Sequence, residues 1–139
     1  METTLIFHFD FDLPHFAAFD LLNQEEGKSC IKDYYETYAR LAVQSRCGFV
    51  LESPTWRANR DWAALLGYDQ QQLADVNHQS IELMSTIRDE YSLPECPMVI
   101  SGSIGPRGDG YIADKQMSAI EAADYHREQI TTFAKSCAD

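Results

Sequence analysis

Residues 98–111 constrain the chain most. Met98-Val99-Ile100 is a short apolar run that stops at small residues and enters a loop with glycine at 102, 105, 108 and 110. A continuous apolar run bounded by turn signals suits a strand buried on both faces. The glycines permit backbone conformations closed to other residues and let a ligand approach the main chain. In α/β folds, sites collect where parallel strands open into loops at their carboxyl ends. The loop is no nucleotide fingerprint, because neither Gly-x-x-x-x-Gly-Lys-Ser/Thr nor Gly-x-Gly-x-x-Gly opens a helix here. Taken alone, it reads equally well as a turn-rich crossover.

Upstream, the chain alternates between strand-like and helix-like patterns. Leu5 to Phe11 is rich in aromatic and β-favouring residues and predicts a strand or an extended lead-in, broken at Asp12-Leu13-Pro14. His15 to Leu22 suggests a helical turn. Ser29 to Ser45 predicts a helix with Ile31, Tyr35, Tyr38 and Ala42 on its apolar face, ended by Arg46-Cys47-Gly48. Phe49-Val50-Leu51 predicts a second buried strand, and Pro54 stops any ladder beyond it. Asn59 is placed to cap a short helix from Arg60 to Leu66, and Asp69 a longer one from Gln70 to Tyr91. Leu73, Val76, Met84, Ile87 and Tyr91 form the buried stripe of the longer helix, with His78 facing solvent. Ser118-Ala119-Ile120-Glu121 has the form of a capping box and opens a final helix with Ile120, Ala123, Ile130 and Phe133 on one side. Strands alternating with helices imply right-handed βαβ units and a parallel sheet. With no linker or low-complexity tract, residues 1–139 read as one unit.

Charge and cysteine usage remove several classes of function. Eleven Lys and Arg against 22 Asp and Glu give a formal net charge of −11. Nucleic-acid binding needs a basic footprint, and anionic membrane surfaces repel such a chain. No stretch approaches the roughly 20 apolar residues that span a bilayer. Met1-Glu2-Thr3-Thr4 lacks the basic head of a signal peptide, so a cytoplasmic setting with reduced thiols is expected. Cys30, Cys47, Cys96 and Cys137 show no Cys-x-x-Cys spacing and make a poor zinc set. His8 and His15 have no acidic or cysteine partner at telling spacing and read as packed or surface imidazoles.

Three segments together resemble the homocysteine S-methyltransferase family of homocysteine-binding (β/α)8 barrels. They are Glu2-Thr3-Thr4-Leu5-Ile6-Phe7-His8 with Asp12 to Phe19, Leu51-Glu52-Ser53-Pro54-Thr55-Trp56-Arg57-Ala58-Asn59, and Ser101-Gly102-Ser103-Ile104-Gly105-Pro106. The last is similar to the family's Gly-Ser-Ile-Gly-Pro after its third strand. The resemblance implies a partial TIM barrel with parallel strands, covering about the first three to four βα units. It also implies homocysteine and a methyl donor as substrates, with methionine as product. Thr55, Trp56, Gly102 and Ser103 carry over as substrate-binding candidates.

In the family, zinc held by three cysteine thiolates keeps the homocysteine sulfur deprotonated, which a free thiol near neutral pH is not. Those ligands belong to later strands, and the four cysteines of this chain match none of them. A complete barrel needs about 250 residues. Met1 falls just after the place of the family's Asp-Gly-Gly, and residue 139 where a fourth strand is due. The expectation is therefore a methyltransferase-like chain, inactive alone, with catalytic residues and zinc ligands unassigned. The alternatives are a non-catalytic half-barrel assembly module, self-associating through open sheet edges, and a gene-model fragment.

Overall fold

The computed structural model describes residues 1–112 and 116–139. The elements run α1 (Glu2–Phe9), two 3-10 turns (Pro14–Phe16 and Ala18–Asn23), α2 (Glu25–Ser45), β1 (Phe49–Glu52), α3 (Arg60–Leu65), α4 (Gln70–Tyr91), β2 (Met98–Ser101) and α5 (Ala119–Ala134). The strands pair in parallel, Phe49 opposite Met98 and Glu52 opposite Ser101. Parallel strands need a long crossover, and α3 with α4 provides it.

Helix α4 is the hub, touching α2, α5, β2 and the Ala18–Asn23 turn. Its ends follow from local chemistry. The Asp69 carboxylate accepts from Gln72 N–H at 2.8 Å while the Gln72 side chain accepts from Asp69 N–H at 2.9 Å, a reciprocal cap. Ile81, Met84 and Ile87 are fully buried, each contributing about 1.5–3 kcal/mol by leaving water. Ser118 and Glu121 cap α5 in the same reciprocal way.

Four sequence expectations are corrected. Leu5 to Phe11 is not extended, since Glu2–Phe9 is helical. β-propensity acts through packing on a sheet, and here Leu5 is buried in the core instead. Asp10 turns left-handed at φ 56°, and Phe11 N–H returns to the Leu5 carbonyl at 3.1 Å, closing the helix.

Helix α2 begins at Glu25 rather than Ser29, and its left-handed terminal residue is Arg46 (φ 51°) rather than Gly48. The early start takes in Gly27, where a Cβ would lie 2.6 Å from the Leu21 carbonyl oxygen, so only glycine lets the Ala18–Asn23 turn approach. Ile31, Tyr35 and Ala42 are buried, whereas Tyr38 is largely exposed.

Among the described residues, the strands are covered on one face only. Leu51 and Ile100 point at the helices, while Val50 is 57% and Val99 45% exposed on the opposite face. Barrel strands cover that face by curving onto one another, which two strands cannot do.

Helix α5 buries Tyr125, Gln129 and Phe133, not Ile120 (83% exposed), Ala123 or Ile130 (47%). On its inward face Gln129 donates to the Thr55 carbonyl and Tyr125 to Asn59 Oδ1, acceptors that require donors rather than methyl groups, while the Phe133 ring packs against Gly102.

The sheet edges are dressed by side chains. Phe49 N–H donates to Pro97 O and Ser53 N–H to Ser101 O, so Val50 and Glu52 turn their backbone groups outward. There Tyr35 Oη donates to Glu52 O at 2.5 Å. On the far edge, Ile100 N–H donates to Asp139 Oδ2 at 2.8 Å and Asp139 N–H to Ile100 O at 3.0 Å. Arg88 Nη1 holds the same carboxylate at 3.1 Å. No helix among the described residues is long and apolar enough to cross a membrane.

Candidate functional site

The polar groups of the chain converge at the carboxyl ends of β1 and β2. Three residues close a ring of hydrogen bonds there. The Ser53 hydroxyl meets Thr55 Oγ1 at 2.7 Å, Thr55 Oγ1 donates to Ser103 O at 2.8 Å, and Ser103 N–H donates to Ser53 Oγ at 2.9 Å. With Thr55 donating onward, Ser53 must donate to Thr55, so each hydroxyl gives one bond and receives one. The ring ties the loop after β1 to the loop after β2. Ser103 Oγ also donates to Glu52 Oε1 at 3.1 Å on the exposed side.

Behind the ring lies a buried amide layer. Gln129 Nε2 donates to Thr55 O at 3.1 Å and to Asn77 Oδ1 at 3.0 Å. Asn77 Nδ2 donates to Ala58 O at 3.1 Å and Leu73 O at 2.9 Å. Tyr125 Oη donates to Asn59 Oδ1 at 2.7 Å, and Asn59 Nδ2 reaches Pro106 O at 3.3 Å. Helices α4 and α5 thus hold both loops by their carbonyls, in a setting where an unpaired polar group would be costly.

The glycine loop folds back over Trp56. A Cβ on Gly105 would lie 1.9 Å from Trp56 O, and one on Gly102 would lie 2.4 Å from the Phe133 ring. Arg57 is buried between two indoles, its guanidinium carbon 4.2 Å from the Trp56 ring centre and 4.0 Å from that of Trp62. Arg57 Nη1 donates to Gly108 O at 3.2 Å, while its Nε has no hydrogen-bond partner among the described residues. Burial lowers the Arg57 pKa, with Asp109 and Glu2 pulling the other way. The ring faces supply part of the lost hydration.

A cavity of about 410 Å³ opens beside this rim, lined by Tyr34, Tyr35, Glu52, Ser53, Trp56 and Ser103 among others. Burial, then the neighbouring Tyr38, raises the Tyr34 pKa to about 12. Burial pushes the Tyr35 pKa still higher. Both phenols are therefore neutral hydrogen-bonding groups near neutral pH.

The four sequence candidates meet at this one place with different surroundings. Trp56 and Ser103 line the cavity. Thr55 is fully buried and holds the rim from behind. Gly102 lies against Phe133. Sequence reasoning missed Arg57, Asn77, Tyr125 and Gln129 as parts of the site. The available signal was the spacing of Tyr125, Gln129 and Phe133 at intervals of four, one stripe down α5.

Parallel βα units with a polar rim at the strands' carboxyl ends define the class as an α/β barrel type, present here in part. The chain belongs to the homocysteine S-methyltransferase family, whose model matches residues 1–139. The fold is similar to the crystal structure of the homocysteine methyltransferase MmuM from Escherichia coli in its metallated form. The TM-score is 0.76 at 22% identity, covering 100% of this chain and 49% of that one. This chain thus spans about half the length of that protein. No curated protein sequence matches it.

A metal does not fit the residues present. Among the described residues no group of three His, Cys, Asp or Glu is placed to hold one. The four cysteines are free thiols, Cys96 buried, Cys30 partly so, Cys47 and Cys137 exposed.

Proposed function

We propose that this chain forms one wall of a homocysteine-binding cup. Methyl transfer to the homocysteine thiol, giving methionine, then requires a second wall bearing the zinc ligands, and the chain alone is inactive. The observation that carries this reading is the Ser53–Thr55–Ser103 ring, which fixes two strand tips as one rim beside the cavity that Trp56 and Ser103 line. In this reading Trp56 and Ser103 face substrate, while Thr55 and Gly102 shape the wall. Pre-set geometry is what such a wall contributes, since a positioned donor and acceptor react faster than free ones. The membership of the chain and its acidic composition support a cytoplasmic role in methionine synthesis.

The test is complementation. The chain is co-expressed with the carboxyl-terminal half of a family member, and methionine formation from homocysteine is measured with sulfonium and ammonium methyl donors. Activity of the complex, with none from either half, is the expected result. A folded complex without activity, or turnover by this chain alone, refutes it.

A non-catalytic assembly role is the second reading, favoured by the exposed Val50 and Val99 on the open sheet face and Ile120 and Ile130 on α5. Sedimentation decides it, because a monodisperse monomer that binds no small thiol removes that role.

A further inference from the structure

We propose that Cys47 and Cys96 form an oxidation site, which a hydroperoxide converts to a disulfide stapling the end of α2 to the turn before β2. The strand register leads to the pair. Phe49 stands opposite Met98, Phe49 N–H donates to Pro97 O at 3.0 Å, and a Cβ on Gly48 would lie 3.2 Å from the same oxygen. Cys47 and Cys96 stand just before this ladder, each two residues ahead of its first paired position. A disulfide needs its two Cα atoms within roughly 4.4–6.8 Å, so the two segments must run side by side where the cysteines stand. Cys96 Sγ already lies 2.7 Å from the Cys47 carbonyl oxygen.

The two thiols differ in a way that orders the chemistry. Cys47 is exposed and Cys96 is fully buried. Burial pushes the Cys96 thiol pKa up, with Cys47 and Glu95 adding to it. Cys47 is therefore the sulfur that attacks the peroxide. Its S–O bond forms as the O–O bond breaks, one oxygen leaves as water or an alcohol, and Cys47 becomes a sulfenic acid. Cys96 sulfur then attacks Cys47 sulfur, and the departing hydroxide takes the Cys96 proton as water. Two thiols are oxidised, and one peroxide is reduced to water or alcohol plus a second water. The pair sits at the amino ends of the strands, opposite the Ser53–Ser103 rim, so the staple acts on stability and leaves the rim intact.

The test treats the whole reduced chain with hydrogen peroxide. Intact mass should fall by two hydrogens, and digestion should give a peptide joining Cys47 to Cys96, lost again on adding dithiothreitol. The melting midpoint should rise by several degrees, as closing a long loop predicts. Cys47→Ser, a change at an exposed position, should abolish the mass loss, whereas Cys137→Ser should keep it. A crosslink through Cys30 or Cys137, or Cys47 oxidised further while Cys96 still alkylates after unfolding, overturns the proposal.

Discussion

Replacing Thr55 by valine tests whether the hydroxyl ring holds the rim. Thr55 is fully buried, and its hydroxyl links Ser53 Oγ at 2.7 Å to Ser103 O at 2.8 Å. Valine keeps the shape and removes both bonds. Each net hydrogen bond contributes about 0.5–1.5 kcal/mol, and a buried partner left unsatisfied costs about 1–3 kcal/mol. Ser103 O retains Gln129 Nε2 at 3.4 Å, and Ser53 Oγ retains Ser103 N–H at 2.9 Å, so the loss is partial. The expected destabilisation is about 2–4 kcal/mol. With a urea slope of about 2 kcal/mol/M, a loss near 3 kcal/mol moves the midpoint down by about 1.5 M. Thr55→Ser keeps the ring and removes one methyl, about 1 kcal/mol. Urea titrations followed by circular dichroism measure all three proteins. If valine costs under about 0.5 kcal/mol, or serine costs as much as valine, the ring does not hold the rim.

Gly105→Ala should destabilise by about 1–3 kcal/mol or more, since its Cβ would meet the Trp56 carbonyl, which no rotamer change relieves. Gly108→Ala, with no atom of the described residues within 4 Å of its Cβ, should be neutral or stabilise by about 0.4–1 kcal/mol. Equal losses in the two variants would contradict the close approach. His126 has a buried Nδ1 without a partner among the described residues, and burial followed by Arg60 lowers its pKa below the ordinary 6.5. The unfolded chain therefore takes up that proton first, so stability falls as pH drops through about 6.5 toward the folded value. His126→Gln should shrink the difference in urea midpoint between about pH 7.5 and about pH 5.5, and an unchanged difference would refute this.

Where local chemistry decides, the sequence was readable. Helix α4 starts at the Asp69 cap and ends at Tyr91 as expected, and β1 and β2 fall on the two apolar runs. Leu5 to Phe11 misled because its aromatic residues favour a strand only where a sheet receives them. The inward face of α5 was illegible for a different reason. Gln129 is buried because it serves the Thr55 carbonyl, 74 residues away, and helical periodicity carries no information about so distant an acceptor. The same limit applies to the site. The family resemblance singled out Thr55, Trp56, Gly102 and Ser103, but which of them faces the cavity depends on how the glycine loop folds back over Trp56.

That fold-back has an optical consequence. The chain has 2 tryptophans, and both stack on the Arg57 guanidinium. Indole emission therefore originates at one spot, and its colour and intensity follow the hydration of that spot rather than of the whole molecule. Without any attached dye, the protein carries its own lamp beside the cavity, and docking of a complementary half or of a thiol ligand should be visible as a change in that light.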